Sequence, residues 1–245
     1  MSEKVRLNKA LADAGLCSRR KADELIQAGQ VLVNAEPAQS GLKVDPLRDT
    51  ITVAGRVVSF AARNERPVYL MLHKPVHVVS TASDPQGRTT VLNLLPPEYN
   101  TTRIYPVGRL DYFSEGLLLL TNDGELTQGL THPRHHIPRI YEVRLRQKPE
   151  HAQLATMRGG MRLAEGEQLA PVKVEVAHDA RTLRMTLHQG VNRQIRRMCR
   201  DLNLTILSLR RIALGPLSLG NLEKGKCRAL RDDEVAALKK AVGQV

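Results

Sequence analysis

The chain carries few aromatic side chains. It has no tryptophan, and five tyrosines and two phenylalanines make up 3% of its 245 residues. Proteins that bind single-stranded nucleic acid on an oligonucleotide-binding barrel or an open sheet stack successive bases on aromatic rings. The scarcity of rings argues against that architecture. A nucleic-acid partner would instead be recognised through phosphates, overall shape and one extruded base.

Cysteines and long apolar stretches are also scarce. Cys17, Cys199 and Cys227 are odd in number and far apart, without C-x-x-C spacing, which is typical of free thiols in a reducing compartment. No apolar run approaches twenty residues, and residues 1–6 do not resemble a signal peptide. We therefore expect a soluble, cytoplasmic protein with no membrane partner.

Cofactor and metal motifs are missing. Neither G-x-x-x-x-G-K-[ST] nor G-x-G-x-x-G occurs. His132, His135 and His136 form a cluster, but no cysteine or acidic residue accompanies them with ligand spacing. The sequence predicts no cofactor and no metal site. It favours RNA contact or loop packing for these histidines, with zinc as the minor alternative.

Positive charge is abundant. The 37 Lys and Arg residues outnumber 25 Asp and Glu, which gives a formal charge of +12 and a pI near 10.0. A polyanion is the expected partner of such a chain. Residues 1–66 hold 11 basic and 8 acidic residues, and the remainder holds 26 and 17, so both parts are net positive. We expect both parts to contact RNA.

The first sixty residues predict a small separate module. Apolar residues from Leu7 to Ala14 recur at helical spacing up to Gly15, and Ser18 is a suitable N-cap for a second helix that ends at Gly29. Two short strands are expected at 31–33 and 51–53. Residues 61–67 are charged, lack apolar periodicity and end in proline, which predicts a hinge. The expected domains are residues 1–63 and 67–245.

The second helix begins with three cations, Arg19, Arg20 and Lys21. They occupy the turn in which the helix dipole disfavours positive charge. We expect their side chains and the helix amides to bind RNA phosphate. The alternative is a solvated basic face.

The most informative stretch runs from Gly108 to Gly116 and precedes four leucines, Leu117–Leu120. The leucine run predicts an element buried on both sides, and the turn at 122–124 ends it. Asp111 therefore lies at the mouth of a rigid apolar element, where packing can fix the rotamer of a catalytic carboxylate. By spacing alone, a structural ion pair with a nearby arginine is the commoner arrangement.

Several motifs occur together, in one order. Besides the Asp111 string, they are Tyr69–Pro75, Ser83–Val91, His132–Arg134, Tyr141, Gly190–Met198 and Gly215–Leu217. Together they resemble pseudouridine synthases of the bacterial ribosomal-RNA branch typified by RsuA and RluB. The pattern from Ser18 to Asn34 resembles the small alpha-L RNA-binding module named after a ribosomal small-subunit protein. Two glycines usual in these families are replaced, by His77 in the Lys-Pro loop and by Ala35 after Asn34, which predicts altered backbone shapes.

The resemblance implies an α/β (α+β) fold with a mixed, mostly antiparallel bent sheet and flanking helices, preceded by the alpha-L module. It assigns the catalytic carboxylate to Asp111, its ion-pair partner to Arg196 and the ring that stacks on uracil to Tyr141. Arg109 would position the extruded nucleotide. Further RNA contacts are expected from Lys74, Arg193 and Arg197, and the alternative for the arginine-rich string is phosphate contact alone.

The function implied is the isomerisation of a uridine in large-subunit (23S) ribosomal RNA to pseudouridine, by a monomer without cofactors. The choice between a nucleophilic and a glycal-type mechanism stays open. Within the family the alternative is a small-subunit RNA substrate of the RsuA type. Outside it, the alternatives are a catalytically silent ribosome-assembly factor on the same fold and, less favoured, a DNA-binding protein.

Overall fold

The structure is a computed structural model that describes residues 4–60, 67–100 and 102–244. Its contacts divide the chain into two compact units, Met1–Arg66 and Pro67–Val245. The predicted hinge falls, except for Pro67, outside the described residues.

Two helices and short strands build the first unit. Its elements are β1 (Val5–Arg6), α1 (Leu7–Asp13), α2 (Arg19–Gln27), β2 (Val31–Val33), β3 (Glu36–Pro37), β4 (Lys43–Val44), β5 (Ile51–Val53) and β6 (Arg56–Val57). The Ser18 hydroxyl accepts a hydrogen bond from the Lys21 amide at 3.0 Å, so Ser18 caps α2. Leu7, Leu11 and Ile26 are buried in one core with residues of β2, β4 and β5, and the four-stranded sheet has the order β3-β2-β5-β6.

A two-residue turn joins β2 to β3. Asn34 and Ala35 both have positive φ, 53° and 69°, as a type I′ hairpin requires. The altered turn predicted from Ala35 is therefore not found. The alanine takes the left-handed conformation that a glycine would adopt more easily.

The second unit contains one large sheet with helices. Its elements are β7 (Tyr69–Lys74), β8 (Tyr105–Pro106), β9 (Glu115–Thr121), α3 (Gly124–Thr131), β10 (Arg139–Leu145), α4 (His151–Gly159), β11 (Lys173–Val176), β12 (Thr182–Leu187), α5 (Gln194–Asp201), β13 (Ile206–Leu214), β14 (Leu217–Ser218), β15 (Cys227–Ala229) and α6 (Asp232–Ala241). Three short 3-10 helices lie at Val91–Leu94, Pro97–Tyr99 and Pro133–His135.

The strand order is β11-β12-β10-β13-β9-β7-β15, with β14 beside β13 and β8 beside β9. The pairing of β13 with β9 is parallel, and the other ladders of this sheet are antiparallel. The prediction of a mixed, mostly antiparallel sheet is confirmed. Leu117–Leu120 lie within β9 and are fully buried, with alternate side chains in two clusters on opposite faces.

The parallel pairing depends on Gly116. It lies opposite Arg211 with φ of 110°, and a Cβ built on it would lie 2.2 Å from the Arg211 carbonyl oxygen. Only glycine permits this approach of the two backbones. Because β9 directly follows the Asp111 loop, the contact also fixes that loop beside β13.

Candidate active site

A cavity of about 270 Å³ opens in the second unit. The Asp111 loop, β10, β13 and the segment that leads into α5 contribute its walls. Its charged lining residues are Arg109, Asp111, Arg139, Arg193 and Arg211. Four arginines around one carboxylate make the lining strongly positive, as a site for a polyanion requires.

Asp111 occupies the loop just before β9, and 31% of its side chain is exposed. One carboxylate oxygen, Oδ2, lies 3.7 Å from Nη1 of Arg193 and 3.8 Å from Nε of Arg196. Both distances are longer than a hydrogen bond. The carboxylate thus has two positive neighbours but remains open to the cavity.

Arg196 is held more firmly than Arg193. Ile195, Met198 and Cys199 anchor α5 in the core, and this leaves Arg196 facing the loop. Its Nη2 donates to the Phe113 carbonyl at 2.8 Å and to the Ser114 hydroxyl at 3.0 Å.

Burial lowers the pKa of Arg196, and the charge of Asp111 opposes that shift. Arg193, in contrast, is 48% exposed and precedes α5 in a left-handed conformation. The structure brings Arg196 to Asp111, as the resemblance implied, and places Arg193 equally near.

Tyr141 lines the same cavity from β10, where it pairs with Arg211 of β13 and Met185 of β12. The register of β10 against β13 shifts between Ile140 and Tyr141. Such irregularities re-aim a side chain next to active sites. Arg109 also lines the cavity and is exposed.

Lys74 does not have the position expected of an RNA contact. Its side chain is fully buried, and Nζ donates to the carbonyls of Pro75, Asp111 and Ser114 at 2.8, 3.2 and 2.8 Å. Burial lowers the pKa of Lys74 to about 8, against the opposing charges of Asp111 and Glu115. The assignment to RNA is corrected because no phosphate can reach this ammonium. Lys74 ties the Lys-Pro loop to the Asp111 loop.

Arg197 likewise forms its ion pairs within the protein. Its guanidinium pairs with Glu165 at 3.2 Å and Glu167 at 2.7 Å, and 17% of the side chain is exposed. These carboxylates neutralise it, so the structure argues against the predicted RNA contact.

In the first unit Arg19, Arg20 and Lys21 are exposed, and Lys21 pairs with Glu24 at 3.0 Å.

The Lys-Pro loop keeps a glycine-like backbone at His77, where φ is 63°. The altered loop predicted from the missing glycine is therefore not found. The His77 amide donates to the Tyr112 carbonyl at 2.7 Å. The ring centroids of His77, Tyr112 and Phe113 lie 5.1 to 5.6 Å from one another, so the three rings form a small aromatic cluster.

Two cavity residues, Arg139 and Arg211, were missed in the sequence. The one available signal was that Arg139 lies two residues before Tyr141 in the same strand, so that both side chains point to the same face of the sheet.

In the histidine cluster, Nε2 of His135 accepts a hydrogen bond from Arg134 at 2.8 Å. Within the described residues, no group of three or more His, Cys, Asp or Glu is arranged to hold a metal ion. None of the described helices is both long and apolar enough to span a bilayer.

Comparisons with known proteins agree with this architecture. The family described as RNA pseudouridylate synthase matches residues 68–201, and the S4 domain family matches residues 5–49. Ribosomal large subunit pseudouridine synthase B of Bacillus subtilis (strain 168) is 39% identical over 240 residues, which cover 96% of this chain and 95% of that protein.

Two further matches extend the comparison. The dual-specificity RNA pseudouridine synthase RluF of Escherichia coli O6:H1 (strain CFT073) is 34% identical over 97% of this chain and 79% of its own length. A crystal structure of a pseudouridylate synthase superposes with a TM-score of 0.69 at 29% identity, covering 96% of this chain and 99% of that chain. Because the family match covers more than half of the chain and these relatives align with nearly all of it, this chain belongs to the RNA pseudouridine synthase family.

Proposed function

We propose that this enzyme converts a uridine of large-subunit ribosomal RNA to pseudouridine, with Asp111 as the catalytic carboxylate. The observation that carries the proposal is the position of Asp111, open to a positively lined cavity and 3.7 to 3.8 Å from Arg193 and Arg196. A carboxylate with free oxygens beside two cations is suited to act on a cationic or electrophilic sugar carbon.

The reaction needs little beyond that group. The bond from ribose C1′ to uracil N1 breaks, the base turns, and C5 joins the same sugar carbon. Substrate and product are isomers, so no electron acceptor or group donor takes part. Asp111 either bonds to C1′ or assists the departure of a sugar proton. Tyr141 stacks on the base and keeps it in the cavity while it turns.

The cavity suits one extruded base. Its volume of about 270 Å³ lies just below the range for drug-sized ligands. An enzyme that acts on a base must take it out of the stack. Arg109 and Arg193, both exposed on the lining, are placed to meet the phosphates that flank that nucleotide.

The large subunit is favoured as the RNA source. The Bacillus relative named for large-subunit RNA aligns over almost the whole of both chains. Both units carry a net positive charge. This fits a structured RNA that is bound at two places, with the S4 unit as the second contact. A small-subunit substrate is the alternative within the family. A purely binding role is disfavoured, because it has no use for Asp111 in this cavity.

The test uses the pure full-length protein with separate transcripts of large-subunit and small-subunit RNA, in EDTA and without cofactors. We expect pseudouridine at one uridine of the large-subunit transcript, mapped by chemical adduct and primer extension. The Asp111→Asn variant is the matched control. Modification of the small-subunit transcript alone would refute the choice of RNA and keep the reaction. Activity that required added zinc would contradict the metal-free mechanism.

A further inference from the structure

Two arginines of the cavity, Arg211 and Arg139, are withdrawn from solvent and have no carboxylate partner among the described residues. Arg211 on β13 is 2% exposed, and its Nε donates to the Leu117 carbonyl at 2.8 Å. Its Nη2 is buried and makes no hydrogen bond. Arg139 on β10 is half-buried, and no described residue makes a hydrogen bond or ion pair with its side chain.

The positive charge of Arg211 also disfavours the positive charge of Arg139. Burial lowers the pKa of Arg139, the charge of Arg211 lowers it further, and Tyr141 acts in the opposite direction. Arg210, next in sequence to Arg211, is neutralised instead, because it pairs with Glu142 at 2.7 Å. A buried cation without a partner lowers the stability of the free protein, and a bound group that pairs with it would relieve this cost. Because both residues line the cavity, a ligand bound there with negative charge or carbonyl oxygens would supply the partner.

We propose that Arg139 and Arg211 hold the uracil base and stabilise the negative charge that it gains when it leaves the sugar. This inference rests on the proposed function. When the C1′–N1 bond breaks, its electron pair departs with the base, whose charge spreads over N1, O2 and O4. The positive charge left at C1′ is balanced by Asp111. C5 then supplies an electron pair to C1′, C5 loses its proton to a base, and N1 takes up a proton from solvent. No further reactant is needed.

The base, rather than a phosphate, is the favoured occupant because of position. Tyr141 pairs directly with Arg211 across the strands and lies near Arg139. Arg109 and Arg193, which are exposed, remain for the phosphates. Donors aimed at a charge that develops only during reaction are the ones that accelerate chemistry, typically by 10²- to 10³-fold for one donor.

Arg139 is the residue to change, because Arg211 also supports β9 through Leu117 and its loss endangers folding. Arg139→Gln, Arg139→Lys and the control Arg146→Gln are compared, Arg146 being exposed just beyond the same strand. Each is assayed in single turnover on RNA that carries uridine or 5-fluorouridine at the target. Fluorine withdraws electrons and makes the base a better leaving group, so it reduces the need for stabilisation. The readout is loss of the original nucleoside on chromatography of a nuclease digest.

We expect Arg139→Gln to lower the rate on uridine RNA by about 100-fold, with the defect at least ten times smaller on 5-fluorouridine RNA. Arg139→Lys should recover part of the rate, and Arg146→Gln should match wild type. Equal defects on both substrates would overturn the inference. So would an unchanged rate with weaker binding and a shallower salt dependence, which would indicate a phosphate contact. A wild-type protein inactive on every transcript would overturn both proposals, whereas these results with active wild type overturn only this one.

Discussion

Arg196 is joined to the Asp111 loop both by charge and by hydrogen bonds. Its Nε lies 3.8 Å from the Asp111 carboxylate, and its Nη2 bonds to Phe113 and Ser114 of the same loop. Arg193 is as near to the carboxylate but makes no hydrogen bond with the loop in the described structure. The two arginines therefore supply similar charge and unequal rigidity.

Asp111→Asn should abolish turnover while preserving the fold. The amide has nearly the same shape but lacks the charge on which the proposed chemistry depends. We expect the rate on large-subunit RNA to fall by several orders of magnitude, with RNA affinity and thermal unfolding close to wild type. The exposed Asp13→Asn is the control. Turnover within tenfold of wild type would exclude Asp111 as the catalytic group.

Arg196→Met should be more harmful than Arg193→Met. Both changes remove a cation near Asp111, but only the first leaves the Phe113 carbonyl and Ser114 hydroxyl without their donor. The lost bonds predict a stability loss of about 1 to 3 kcal/mol. Single-turnover rates and urea unfolding of the two variants provide the comparison. The reverse order would show that Arg193 is the principal partner of the carboxylate.

The burial of Lys74 predicts a pH-dependent stability. Its pKa is about 8 in the folded protein and 10.5 when exposed, so the unfolded chain binds the proton more tightly. Stability must then rise with pH from about 8 to 10.5. Relative to Lys74→Met, wild type should gain about 2 kcal/mol between pH 7 and pH 9.5 in urea unfolding. The exposed Lys240→Met should follow wild type. Parallel curves for wild type and Lys74→Met would contradict the burial.

Gly116→Ala should destabilise the second unit severely. The added Cβ would meet the Arg211 backbone at 2.2 Å, and neither strand can move without breaking the sheet. Gly87→Ala is the matched control, because Gly87 also has positive φ but nothing within 4 Å of its Cβ. We expect the control to cost about 1 kcal/mol and Gly116→Ala more than about 3 kcal/mol. Similar melting temperatures for both variants would show that the loss of stability comes from the strain of a positive φ alone and not from the contact with the Arg211 backbone.

Removal of residues 1–63 should weaken RNA binding and make it less dependent on salt. Each lost phosphate contact releases roughly one counterion fewer. The remaining unit has separate hydrophobic clusters and should stay folded, as circular dichroism can verify. A variant with Arg19, Arg20 and Lys21 all changed to Gln tests whether these side chains are responsible. An unchanged salt slope would identify them as a solvated face.

Local patterns in the sequence were sufficient for several elements. The Leu117–Leu120 run predicted a doubly buried element because a strand in the middle of a sheet is apolar on both faces. Ser18 predicted the N-cap of α2, and its hydroxyl does accept the hydrogen bond from the Lys21 amide. These signals lie within one turn or one strand, where geometry follows directly from residue order.

Relationships between distant segments could not be predicted in this way. Arg197 was expected to face RNA because the string around it holds a single acid, but Glu165 and Glu167 arrive from another loop. Lys74 was expected to contact RNA. The three carbonyls that accept from it come together only in the folded chain. The parallel pairing at Gly116 likewise joins residues 95 positions apart.

The aromatic cluster beside the Asp111 loop also offers a position for a fluorescent reporter. The chain has no tryptophan, and Phe113 is 56% exposed where the rings of His77 and Tyr112 meet it. A tryptophan at position 113 would be the sole indole of the molecule, two residues from Asp111. Its emission would report the arrival of RNA at this loop in real time, free of background from any other tryptophan.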